Sequence, residues 1–198
     1  MTVRIRPYRP SVDADGLYAC KREFERGLGA GTGDDEKAVA YEGKLTDRYR
    51  EAWLAWVDRC TGDDPRCVTA AVDTTEDGST DTIDADCDDT VDTAADETGG
   101  DGVDVDGEVV GYVFVLPERL SFIWDAAVLN ELYVAPEHRG TGVADDLVTA
   151  ALDVAADQTL PLDRLVLDVD PTNQRARAFY ERHGFENWGE MVARPVER

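Results

Sequence analysis

Lysine is almost missing from this chain. Three occur in 198 residues, Lys21, Lys37 and Lys44, beside 17 arginines and 43 aspartates and glutamates, for a net charge of −23. So few cations cannot neutralise a nucleic-acid backbone, which excludes nucleic acid as a partner. An anionic membrane surface is disfavoured for the same reason. No apolar run approaches the roughly 20 residues that a membrane helix needs, and MTVRIRPYRP at the N-terminus has no apolar leader core. The expectation is a cytoplasmic protein. The acid is spread over the whole sequence, as suits a surface working in high salt, where self-repulsion is screened, and points to a halophilic source. Cys20, Cys60, Cys67 and Cys87 form no CxxC pair. A zinc site is therefore not expected, and free thiols are.

Residues 73–106 lack something else: they contain no aromatic residue, no lysine and no arginine. Asp, Thr, Gly and Ala dominate, so the segment cannot bury enough apolar surface to offset the entropy of ordering it. It reads as a disordered insertion in a single domain spanning residues 1–198. Its aspartates do not make a calcium loop. Counting from Gly102, a glycine stands at the first ligand position and Val113 where a bidentate glutamate belongs. No metal is expected.

What remains is globular in composition, 42% hydrophobic and 32% charged. Thr2 to Arg6 alternates as a short strand. Leu17, Cys20, Phe24 and Leu28 recur at helical steps, and Gly27, Gly29, Gly31 and Gly33 are expected to end that helix. A second helix is expected from Asp35 to Arg59, with Tyr41, Leu45, Tyr49, Trp53 and Trp56 along one side. Such a stripe is core first and substrate lining second. Strands are expected at Cys67 to Val72, Glu108 to Leu116 and Phe122 to Val134.

Two segments carry chemistry. In LNELYVAPEHRGTGVA, from Leu129 to Ala144, a strand ends near Val134, Pro136 stops it, and Arg139 to Ala144 forms a loop that opens a helix reaching about Ala156. Val143, Leu147, Ala151 and Val154 share one face of that helix. The first amides of a helix lack intrahelical acceptors and lie at its positive end, and glycines at 140 and 142 let a phosphate approach the backbone. The loop lacks the Lys-Ser/Thr pair of a Walker motif and is not GxGxxG. Asp145 and Asp146 in the first helical turn are expected to face solvent. Further on, Leu165 to Val169 reads as a strand and Asn173 to His183 as a helix, with Gly184 as its C-terminal cap.

Arg139-x-x-Gly142-x-Ala144 resembles the Arg/Gln-x-x-Gly-x-Gly/Ala signature of the GCN5-related N-acetyltransferase superfamily. Asn173-x-x-Ala176-x-x-x-Tyr180-x-x-x-Gly184-Phe185 is similar to its second signature, in the usual order. The resemblance implies an α/β fold with a mixed, mostly antiparallel sheet and helices on both faces. It implies that acetyl-CoA is the cosubstrate, its pyrophosphate held by Arg139, Gly140, Thr141, Gly142, Val143 and Ala144. The pantetheine arm would then pair with the backbone of Leu132, Tyr133 and Val134 and lie near Asn173, with Tyr180 beside the thioester sulfur. An amine is the implied acceptor, and a homodimer is a possible assembly.

The chemistry sets the catalytic expectations. A lysine-like amine is neutral about one time in two thousand at pH 7, so a base or water chain must take its proton. Glu131 and Asp168 are the candidate carboxylates. Each could equally be a solvated strand-end acid. Where some members place a base one position before Glu131, this chain has Asn130. Tyr180, a phenol, can give a proton to the departing thiolate. The alternative is a non-catalytic acyl-CoA-binding or regulatory module on the same fold.

Overall fold

The computed structural model describes residues 2–31, 35–74, 107–189 and 194. The expected insertion at 73–106 lies almost wholly outside them, as does Cys87. Five strands form one sheet in the order in which they occur: β1 (Val3–Pro7), β2 (Val68–Asp73), β3 (Glu108–Val115), β4 (Ala127–Val134) and β5 (Leu165–Val166). The first four pair antiparallel and β5 joins β4 in parallel. This is the mixed, mostly antiparallel sheet that the sequence implied.

Helices cover both faces. On one lie α1 (Pro10–Gly31) and α3 (Asp47–Asp63), packing Leu17, Tyr18, Trp53 and Val57 against Val68, Val72, Tyr112 and Phe114. On the other, α4 (Val143–Ala156) sets Val143, Leu147, Ala151 and Val154 against Val113, Val115, Leu129 and Val134. β2 and β3 are apolar at nearly every position because they are buried from both sides. Among the described residues no helix is long and apolar enough to cross a membrane.

Three expectations need correction. The helix of α1 passes through Gly27 and Gly29 without a break. It runs to Gly31, and at Gly29 an added Cβ would come within 3.1 Å of Tyr41 Cβ and 3.2 Å of Ala38 Cα. Gly29 is thus a close-approach site for the next helix, α2 (Asp35–Gly43). The single helix expected from Asp35 to Arg59 is two, because Thr46 caps α3 by accepting from the Tyr49 amide. The strand expected from Phe122 begins only at Ala127, after a 3-10 turn over Glu118–Ile123 and Asp125 at φ 54°.

Candidate active site

β4 is the axis of the site. Ala127 and Val128 pair with β5, whereas Leu129 to Val134 pair only with β3, so one edge of β4 is open there among the described residues. Phe114 faces Glu131 and Val115 faces Leu129, which leaves Asn130 as the extra residue of a bulge. Beyond the bulge, the Ala135 amide donates to the Val110 carbonyl at 2.8 Å. The two-residue alternation of an antiparallel ladder then turns the backbone of Tyr133 toward β3 and that of Leu132 and Val134 toward the open edge. The expectation that all three backbones are available narrows to Leu132 and Val134. The Val134 carbonyl already accepts from Arg139 Nε at 2.9 Å.

The loop that follows is built for close backbone approach. Gly140 and Gly142 adopt φ 82° and 98°, and a Cβ at either would meet nothing within 4 Å. Backbone conformation, not crowding, calls for glycine, and the space above the loop is open. Thr141 Oγ1 donates to the His138 carbonyl at 2.7 Å, fixing the turn. Gly142 caps α4 without a side chain, and buried Val143 anchors the first turn. The free amides of that turn and the positive end of α4 therefore face an unobstructed space that suits a pyrophosphate.

Asp145 does not simply face solvent, as expected. It takes Arg182 Nη1 at 2.8 Å and His183 Nε2 at 2.9 Å. Burial would push its carboxyl up, but hydrogen bonds from Arg182 and His183 outweigh this and hold it below the usual range. Asp146 is exposed, as anticipated. The pair ties the phosphate-facing helix to α5 (Gln174–Arg182), which carries Tyr180.

On α5, Asn173 Oδ1 accepts from the Ala176 amide at 3.0 Å, so its carbonyl serves as a helix cap and only its amide nitrogen is left for a ligand. Gly184, at φ 80°, turns the chain so that the Phe185 amide reaches the Tyr180 carbonyl at 3.0 Å. The Tyr180 ring packs edge-on to Phe179 and Phe185. Burial pushes its hydroxyl up to about 12, so the phenol keeps its proton at neutral pH. Asp168 is exposed and lies beyond the last paired residue of β5.

Glu131 is no solvated strand-end acid. It is buried, and its carboxylate accepts from Lys21 Nζ at 2.6 Å, the Tyr112 hydroxyl at 2.6 Å and Asn130 Nδ2 at 3.1 Å. Lys21, itself buried, also touches Glu25 Oε1 at 2.7 Å and lies over the rings of Phe24 and Trp53. Tyr49 donates to Glu25 Oε1 at 2.9 Å, and Lys44 Nζ lies 2.6 Å from Glu25 Oε2. Burial would raise the Glu25 carboxyl; its contacts with Lys21, Lys44 and Tyr49 reverse that and hold it below the usual range. Burial, then the Glu131 charge, pushes the Tyr112 hydroxyl well up. Sequence reasoning missed Lys21, Glu25, Lys44 and Tyr112. The scarcity of lysine and the four-residue Lys21–Glu25 spacing were the available signals.

Cysteine chemistry is absent from this region. Cys20, Cys60 and Cys67 are free and buried, and burial pushes the thiols of Cys20 and Cys67 up to about 12. Among the described residues no group of His, Cys, Asp and Glu could hold a metal ion.

Comparison with known proteins agrees with this geometry. The pattern of the acetyltransferase (GNAT) family matches residues 46–185. An uncharacterized N-acetyltransferase of Archaeoglobus fulgidus is 38% identical over 85 residues, 40% of this chain and 56% of that protein. The mycothiol acetyltransferase of Salinispora tropica is 36% identical over 94 residues, 46% of this chain and 29% of that protein. The matches thus span about half or less of these relatives. Among solved structures, the Thermoplasma acidophilum PaiA N-acetyltransferase in complex with coenzyme A superimposes with a TM-score of 0.61 at 18% identity, covering 94% of this chain and 91% of that one. A GCN5-related N-acetyltransferase from Ralstonia eutropha JMP134 does so with a TM-score of 0.56 at 16% identity, covering 98% and 99%. At such identities the likeness is one of fold.

Proposed function

Because this chain belongs to the acetyltransferase (GNAT) family, we infer that it is an N-acetyltransferase that carries an acetyl group from acetyl-CoA to a primary amine. The observation that carries the reading is the loop of Gly140 and Gly142 at the head of α4, set beside the open edge of β4. The coenzyme A held by the Thermoplasma neighbour supports it.

Acetyl-CoA would supply the thioester whose C–S bond breaks as the acceptor's N–C bond forms. Its pyrophosphate fits the amides of residues 140–144 beside the Arg139 side chain, and its pantetheine arm fits the backbone of Leu132, the Val134 amide and the Asn173 amide nitrogen. Tyr180 holds on its hydroxyl the proton that the departing sulfur takes, and general-acid help of this kind contributes typically 100-fold or more. Glu131, already hydrogen-bonded three times, keeps one lone-pair site. Three donors crowd its oxygens and leave little room for the amine to reach it directly. Its part is to draw the acceptor by its charge and orient a water, through which the amine's proton leaves toward solvent and exposed Asp168.

Thiol release from acetyl-CoA, measured across a panel of amines, tests the reading. Acetyl-CoA binding without release to any amine would favour a non-catalytic acyl-CoA-binding module. Absence of both binding and release would overturn the site.

A further inference from the structure

α5 carries Tyr180 yet has little to hold it. None of its residues is buried, and β5, the strand before it, is two residues long. α4 is the opposite. Val143 and Leu147 are buried against the sheet, and the turn between them carries Asp145. The fixed helix and the loose one meet on that carboxylate. Arg182 Nη1 lies 2.8 Å from Asp145 Oδ1, and His183 Nε2 lies 2.9 Å from the same oxygen.

The two contacts are not equal. The Arg182 side chain is 61% exposed, where water screens an ion pair and leaves it little strength. The His183 side chain is 18% exposed, so its contact is the sheltered one. His183 is also the better placed. It stands three residues after Tyr180, hence on the same side of the helix, and its amide donates to the Tyr180 carbonyl at 3.0 Å. Phe179 links the two rings, its centroid 4.7 Å from that of His183 and 5.3 Å from that of Tyr180. A contiguous run of contacts thus leads from Asp145 through His183 and Phe179 to the phenol. The other end of the run is the phosphate-facing turn, since Asp145 lies in the first turn of α4, three residues after Gly142. A bare carboxylate there would repel phosphates, and the two donors on it offset that charge. One turn of one anchored helix therefore serves both ends of the cosubstrate. Its amides suit the pyrophosphate, and its carboxylate reaches the helix that bears Tyr180.

We propose that Asp145 is a positioning residue: by holding His183 it sets the rotation of α5, and with it the place of the Tyr180 hydroxyl relative to the sulfur of an acetyl-CoA seated on the same turn of α4. Asp145 itself touches neither the sulfur nor the acceptor and acts through α5. The placement matters because a shift of about 1 Å in a reacting group can cost about 100-fold in rate. This rests on the acetyltransferase reading with Tyr180 as proton donor, and the test keeps the two apart.

The test uses Asp145→Ala, alone and combined with Tyr180→Phe. Alanine is the best helix former and the position is partly exposed, so α4 keeps its shape. Hydrogen exchange of the α5 amides should quicken in the variant while that of α4 stays as it was. Acetyl-CoA affinity by calorimetry should hold or tighten, because a negative charge beside the phosphates is gone. Single-turnover acetyl transfer, to the primary amine of the panel that serves wild type best, should fall about tenfold or more. That fall should vanish in the Tyr180→Phe background, where no hydroxyl is left to place. A defect of the whole fold would instead weaken binding and slow both backgrounds alike. Unchanged exchange in α5, weaker acetyl-CoA binding, or an equal fall in the two backgrounds overturns the role of Asp145, and so does a Tyr180→Phe variant as fast as wild type. Thiol release by wild type that Asp145→Ala leaves undiminished sinks the positioning role alone. A wild type that releases thiol to no amine sinks the acetyltransferase reading, and the positioning role falls with it.

Discussion

Lys21 Nζ and Glu131 Oε1 meet at 2.6 Å although 110 residues separate them in the chain. The contact joins α1 to β4 at the point where β4 loses its second neighbour. With Glu25 on the same ammonium, a single buried cation holds two buried carboxylates in place.

Removing that cation should therefore be costly. Lys21→Met leaves Glu25 and Glu131 without their shared partner, and breaking a buried pair in this way costs about 3–5 kcal/mol at neutral pH. The sign of the pH dependence follows from Glu25. Its folded carboxyl is held below its ordinary value near 4.5, so its stabilising contribution is present above that pH and is lost as pH falls through the folded value. In the variant the Glu25 carboxyl loses its Lys21 contact, the largest of those that hold it down, and protonation relieves it. The Tm difference between wild type and Lys21→Met should narrow as pH is lowered from about 7 to about 4. A difference constant over that range would show that Lys21 acts by packing, not by charge.

The stretch between β2 and β3 should be replaceable. Asp73 and Glu108 are partners in the sheet, so the two ends of the intervening segment are already side by side. A short Gly/Ser linker in place of residues 75–106 can close that hairpin, and loop length changes closure entropy only slowly, about 0.6 kcal/mol per doubling. Tm and acetyl-CoA affinity are expected to change little. A variant that no longer folds would show that the segment packs against the domain.

How much of this was legible depends on the range of the interactions. The Arg139 to Ala144 loop and α4 follow local rules, proline to stop a strand and glycine where φ is positive, and they lie where the sequence put them. The cap and turn of α5 are local too. The division of α2 from α3 rests on one threonine cap inside an apolar pattern that continues across it, so periodicity alone ran them together. Glu131 could not be told apart from a solvated acid because its partners Lys21 and Tyr112 come from elsewhere in the chain and only folding assembles them. Asp145 was misjudged in the same way, since Arg182 and His183 reach it from a separate helix.

Gly142 should tolerate neither charge nor a side chain equally. Gly142→Ala keeps the loop uncharged but places an L-residue at φ 98°, a strain of about 1–3 kcal/mol. Gly142→Asp adds to that strain a negative charge at the mouth of the phosphate-facing turn. Calorimetry with acetyl-CoA should show weakened binding in the first and none in the second, in proteins that remain folded by circular dichroism. Equal affinity of the aspartate variant and wild type would remove the phosphates from this loop.

Tyr180 offers the sharpest test of mechanism. Tyr180→Phe retains the ring that packs on Phe179 and Phe185 and deletes only the hydroxyl. Burial, which pushes that hydroxyl up to about 12, keeps it protonated through the neutral range, so it is equipped to donate and not to accept a proton. If it protonates the departing sulfur, single-turnover acetyl transfer should fall about 100-fold or more. Acetyl-CoA affinity should be unchanged, because the Gly140 to Val143 turn is untouched. The loss should also shrink as pH is lowered, since solvent protons then take over the protonation of the sulfur, whose parent thiol has an ordinary pKa near about 8.5. Single-turnover rates isolate this step from product release. A variant as fast as wild type would leave Tyr180 as a packing residue and assign the proton to another donor.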